Sequence, residues 1–258
     1  MLQGQAGWTC RAVRNKVQQI TWDTTAAQRE SRHANAVLPS EMENYMHSVA
    51  TLVSRGGRHG DVLDVGCGTG LIFSFLEKVC GDGGKGRGKG KGKAKGKDNN
   101  VDGGVDAGLG GFEQGRLVGI DLSAEMLNIA QASFPSAQFV QGDYLDYDCD
   151  TGRFDSIVFN ECLHYFEDQQ EAIEKAVRLC KPAGAHGVSK IVISHPRGMK
   201  NVRLLNQHNQ LMVPSLLPTV DELQQIIDTL SSQLGTSLRL ATAPHCDSTH
   251  YLAVIELA

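Results

Sequence analysis

Short apolar runs alternate with longer amphipathic stretches through most of this chain. Val62, Leu63 and Val65 make a run of strand length that ends abruptly at Gly66, and a helical pattern opens at Leu71 and runs to Cys80. The pairing recurs downstream. Arg116–Ile120 predicts a second strand, and Ser123 then caps a helix carrying Met126, Leu127, Ile129 and Ala130, closed by Pro135. Gln138–Gly142, Phe154–Asn160 and Lys190–Ser194 predict three more strands. Between the last two lies an amphipathic helix over 168–180, stopped by Lys181-Pro182-Ala183-Gly184. Thr219 caps a helix over 220–234, Gly235 ends it, and Ser237–Ala241 and His250–Leu257 follow at hairpin spacing. Strands alternating with helices predict a doubly wound, mostly parallel α/β sheet with helices on both faces.

Two regions break this rhythm. Residues 9–36 are helix-compatible, with Val13, Val17 and Ile20 on one face. A second helix starts from Ser40 as its cap and carries Met42, Tyr45, Met46, Val49 and Leu52 before Gly56-Gly57. These predict an N-terminal helical cap over 1–57 and a main domain over 58–258, with Trp22, Tyr45 and His47 either core or surface residues of the cap, the preferred reading, or facing a substrate. The other break is 81–115, where 85–97 alternate Gly with seven basic residues and no acid. That composition builds no core and predicts a disordered insert. It is either a tolerated loop, the preferred reading, or an electrostatic handle for nucleic acid that lacks an aromatic residue for base stacking.

The chemistry concentrates at Asp64-Val65-Gly66-Cys67-Gly68-Thr69-Gly70. Glycines there allow positive φ and close approach of a ligand to the backbone, and the following helix turns its N–H groups toward it. A dinucleotide fingerprint would need glycine at position 71, which is Leu71. Gly-x-Gly-x-Gly after Leu-Asp-Val resembles instead the first motif of the class I S-adenosylmethionine-dependent methyltransferases. Asp121 follows Gly70 by 51 positions, or 16 once the 35 residues of 81–115 are removed. That is near the interval of about 20 expected for a ribose-binding acid.

The resemblance implies a seven-stranded sheet with an antiparallel C-terminal hairpin and S-adenosyl-L-methionine as cofactor. It implies that Asp64 orders the turn of Gly66, Gly68 and Gly70. Asp121 would then hold the ribose, Leu122 pack near the adenine, Asp143 accept from the adenine amino group with Tyr144 beside the ring, and Asn160 stand where the methyl group is exposed. Asn160-Glu161-Cys162-Leu163-His164-Tyr165-Phe166 is similar to the Asn-x-x-Leu-His-x-Phe of a broad group of small methyltransferases.

Methyl transfer needs a base only when the nucleophile arrives protonated. His164 and His195 stand at strand ends, and an unperturbed imidazole titrates near 6.5. His164 is the preferred base and Glu161 the second. Residues 196–218 make either a substrate lid bearing Arg197, Lys200 and Arg203 or a loop-helix that covers the sheet edge. The basic lid suggests an anionic small-molecule acceptor. Two rivals remain: a nucleotide-dependent oxidoreductase, and a binding module without catalysis or associated with RNA.

The remaining composition narrows partners more than function. Net charge is −4, and no apolar run approaches the roughly 20 residues of a membrane span. Seven scattered cysteines, never spaced Cys-x-x-Cys, argue for a reducing compartment and against a zinc site. A cytoplasmic location is expected. The alternative is a plastid or mitochondrion, because no acid precedes Asp23 while Arg11, Arg14 and Lys16 do.

Overall fold

The computed structural model describes residues 10–35, 38–55, 57–81, 115–182, 187–245 and 249–258. Seven strands form one sheet: β1 (Val62–Val65), β2 (Leu117–Asp121), β3 (Gln138–Gln141), β4 (Ser156–Asn160), β5 (Ser189–His195), β6 (Leu238–Thr242) and β7 (Tyr251–Leu257). Their order is β3-β2-β1-β4-β5-β7-β6. The first five are mutually parallel and β7 runs antiparallel to both β5 and β6. Order reverses on either side of β1, which creates the crevice at the carboxyl ends where open α/β sheets bind ligands.

β1 and β4 are buried on both faces, as their near-continuous apolar runs require. On one face α5 (Gln169–Leu179) and α7 (Val220–Leu234) bury Ile173, Val177, Leu223 and Ile227 against Leu63, Ile157, Ile191 and Ile255. On the other, α2 (Ser40–Val53) and α3 (Leu71–Gly81) bury Met46, Val49, Phe73 and Leu76 against Val62, Val158, Val192 and Val254. α4 (Ala124–Ser133) links β2 to β3, and Ser123 caps it by accepting from Met126 N–H. Thr219 and Glu222 form a reciprocal capping box on α7, and Gly235 ends that helix at φ 61°.

The leading segment does not behave as one cap. α2 is part of the core layer, since its apolar stripe fits the groove beside α3. α1 (Cys10–Asn35) instead lies across the carboxyl edge of the sheet. Val13 and Ile20, expected on a packed face, are exposed on α1. The helix turns Arg11, Arg14, Asn15 and Gln18 inward because what it covers is a polar crevice. Ser40 is the first residue of α2, not its cap, and Pro39 precedes it with no side-chain cap bond. Residues 198–208 form α6 (Gly198–His208), which buries Met199 and Val202. Of the 81–115 insert, Gly81 ends α3 and Gly115 donates to His59 carbonyl oxygen. The rest, with the basic run 85–97, lies outside the described residues, as do residues 1–9, Ala183 and Gly184.

At the opposite edge of the sheet Asp61 gathers the start of the fold. Its carboxylate accepts from Arg116 and Lys181, and Lys181 also reaches Asp155 at 2.7 Å. Asp61 is part-buried, which alone would raise its pKa, but these cationic donors overcome that and hold it well below the usual carboxylate range.

Candidate active site

The carboxyl ends of β1, β2, β3 and β4 enclose a cavity of about 620 Å³, within the size range of small-molecule sites. Its floor is the glycine turn. Gly66, Gly68 and Gly70 have φ of 64°, 54° and 84°. A Cβ on Gly66 would stand 2.7 Å from Cys162 Cβ, so only glycine lets the β4 loop close on the turn. A Cβ on Gly68 would meet nothing within 4 Å: here the backbone is bare toward the cavity.

Asp121 fastens the turn from the neighbouring strand. One carboxylate oxygen accepts from Gly68 N–H at 2.9 Å and the other from Ser123 N–H at 2.9 Å. It lines the cavity with Leu122, Gly142, Asp143, Tyr144, Asn160 and Glu161. Tyr144 contributes a wall and no free polar group, since its hydroxyl donates to Ala172 carbonyl oxygen and its ring packs edge-on against Phe159 and Phe166. Asn160 Oδ1 accepts from Ser194 Oγ at 2.8 Å, which fixes the amide at the end of β4. Glu161 takes φ 55°, a conformation that costs a non-glycine residue energy and recurs at functional sites. Its backbone N–H donates to Ser194 carbonyl oxygen and its carboxylate meets Arg197 at 3.3 Å.

Three expected site residues stand elsewhere. Asp64 and Gly70 do not line the cavity. Asp64 is buried beneath the turn with Oδ1 unpartnered, and burial, then the nearby charge of Asp121, raises its pKa well above the usual range. Gly70 faces Phe134, 2.7 Å from where a Cβ would sit. His164 does not line the cavity either, and among the described residues no histidine does. Its ring is buried against Tyr165 and His195, with neither nitrogen hydrogen-bonded. Burial, and then the proximity of His195 and Arg197, pushes its pKa well below 6.5. A base must reach the proton it takes; Glu161, the second candidate, is the one in the cavity. Of the lid's cations only Arg197 lines it. Trp22 does as well, edge-on to Tyr165 at 5.6 Å, whereas the Tyr45 hydroxyl is spent on Tyr251 carbonyl oxygen and His195 N–H.

Sequence reasoning did not place Arg11, Arg14, Asn15 and Gln18 here, yet all four line the cavity from α1. Their spacing of three to four residues was the available signal. Cys67 and Cys162 also line it, and burial raises both thiols well above their ordinary range, which disfavours the thiolate. Among the described residues no cluster of His, Cys, Asp and Glu could hold a metal ion.

Residues 107–184, which include β2 to α5, match the family model described as a methyltransferase domain. Solved structures share the whole architecture. Magnesium protoporphyrin IX methyltransferase from Synechocystis PCC 6803, with bound S-adenosylhomocysteine, aligns at TM-score 0.58 and 15% identity over 95% of this chain and 98% of that one. The chain has the class I methyltransferase fold. The plantazolicin methyltransferase, in complex with a pentazolic analogue and S-adenosylhomocysteine, aligns at 0.57 and 16% identity over 95% and 96%. In sequence the chain is 24% identical over 181 residues to demethylmenaquinone methyltransferase of Chlorobaculum tepidum, covering 69% of this chain. It is 28% identical over 89 residues, 32% of this chain, to juvenile hormone acid O-methyltransferase of Drosophila melanogaster. These matches span 61% and 30% of the relatives' own lengths. The fold is thus the one the sequence led to, and the rival dinucleotide oxidoreductase is not the frame in which the cavity is read.

Proposed function

We propose that the cavity binds S-adenosyl-L-methionine and that the chain transfers its methyl group to a small-molecule acceptor. The observation that carries this is the bare backbone at Gly68 directly beneath a part-exposed Asp121 carboxylate, a cradle and an acid on adjacent strand ends. The cofactor, when bound, supplies an electrophilic methyl group on sulfur. The chain's own work is alignment and exclusion of water. Asp121 is placed to accept from ribose hydroxyls, and the amide of Asn160 is held by Ser194. Glu161 stands beyond Asn160 as the cavity's candidate acceptor-side proton taker. Trp22, Tyr165 and Phe166 give the acceptor an apolar wall. The similar proteins are named for demethylmenaquinone, magnesium protoporphyrin IX and juvenile hormone acid, which supports a small-molecule acceptor without selecting one.

The test is transfer of isotope-labelled methyl from the cofactor to a metabolite extract, read by mass spectrometry, with Asp121→Ala beside wild type. Labelled product from wild type is expected. The variant should lose roughly 1.5–3 kcal/mol of cofactor binding, the range for hydrogen bonds to a charged group. Equal cofactor affinity in the folded variant would remove Asp121 from the site.

A further inference from the structure

One helix is tied to the segments that follow four of the strands. From α1, Arg11 Nε donates to Asp143 Oδ2 at 2.7 Å and Asn15 Nδ2 to the same oxygen at 2.6 Å. Arg11 also reaches Asp146 at 2.8 Å, and Arg14 reaches Glu167 at 2.9 Å. Gln18 donates to Met212 carbonyl oxygen at 2.9 Å, and Asp23 accepts from Ser123 Oγ at 2.6 Å. These partners follow β2, β3, β4 and β5, so α1 spans the crevice from edge to edge.

Asp143 is the joint. Its Oδ2 takes both α1 donors, while Oδ1 takes only Leu145 N–H at 2.8 Å. An ionised carboxylate has about four acceptor sites, so Oδ1 keeps one to offer. The side chain is 11% exposed and lines the cavity. Residues 11 and 15 are one helical turn apart, so a single placement of α1 sets both donors and with them the plane of the carboxylate.

We propose that Arg11 and Asn15 are positioning residues that aim Asp143 at the adenine amino group, so that cofactor binding and docking of α1 stabilise each other. This rests on the cofactor reading above. Solvent-exposed pairs such as Arg11–Asp146 hold a helix weakly, and a ligand touching both Asp143 and the inward face of α1 supplies what they lack. Reciprocity then follows: whatever α1 adds to cofactor affinity, the cofactor adds to α1 docking.

The experiment uses the full chain and S-adenosylhomocysteine. Hydrogen exchange followed by mass spectrometry should show amides of residues 11–23 slowed at saturation. In Arg11→Ala/Asn15→Ala, affinity should fall roughly tenfold, within the usual range of coupling between sites, and that protection should vanish. The preference for S-adenosylhomocysteine over S-inosylhomocysteine, which lacks the amino group, should fall to about unity with it, and Arg11→Lys should restore part of the preference. If the variant weakens both ligands equally and their ratio is unchanged, α1 is only a cover and the proposal fails. Unchanged exchange of α1 in saturated wild type overturns it without any variant. No binding of S-adenosylhomocysteine by wild type would instead overturn the cofactor reading itself.

Discussion

His164, in the turn after β4, and His195, the last residue of β5, have ring centroids 5.2 Å apart and are both buried. Burial lowers both pKa values, that of His195 to about 4. A histidine whose folded pKa lies below its unfolded 6.5 stabilises the fold above 6.5, and that stability is lost as pH falls toward the folded value. For His195 the loss is on the order of 3 kcal/mol between pH 6.5 and 4. Denaturant titration across that interval should show the decline, and His195→Ala should flatten it; an unchanged slope would place the acid sensitivity elsewhere. The position of His164 at a strand end was legible in the sequence. The direction of its ring was not, because the 3-10 turn Leu163–Tyr165 rolls it inward, away from the cavity. Asp64 was expected to order the turn rather than to touch the ligand, and alternation along β1 leaves Val65, not Asp64, among the residues lining the cavity.

Among the elements, the strand, glycine turn and helix from Val62 to Gly81 were the most legible, since each glycine marks a backbone demand. Gly70→Ala tests this. Its φ of 84° and the Phe134 ring 2.7 Å from the new methyl give no room, so we expect a loss of about 1–3 kcal/mol by denaturant unfolding. A neutral substitution would mean that the turn is looser than its geometry. α1 was the least legible element. Apolar periodicity put Val13, Val17 and Ile20 on its packed face, but periodicity finds a packed face only where the surface covered is apolar. Here the covered surface is a crevice of carboxylates and carbonyls, and Arg11, Arg14, Asn15 and Gln18 answer it. The capping box on α7 was half-read, with Thr219 expected and Glu222 not. Thr219→Ala should cost about 1 kcal/mol in thermal unfolding, and an unchanged melting temperature would show that tertiary contacts carry that terminus.

At the scale of the molecule, strand order does what no local pattern shows: it sets β1 between β2 and β4, so that residues as distant as Asp121 and Asn160 share one cavity with the glycine turn. The insert does not disturb this arrangement. Gly115 and Arg116 are already hydrogen-bonded to His59 and Asp61 at the start of β2. Replacing 82–114 by about five residues should stabilise the fold by up to about 2 kcal/mol through loop closure alone; a fall in melting temperature would assign that segment a structural role. The most direct measurement of the central claim is the melting temperature of the full chain with S-adenosylhomocysteine and with NAD. At about a hundredfold excess over its dissociation constant a specific ligand adds about 2.7 kcal/mol, and for a domain of this size that is a rise of roughly 5–10 °C. Such a rise is expected with S-adenosylhomocysteine and none with NAD. No rise with S-adenosylhomocysteine, or an equal rise with NAD, would contradict that claim.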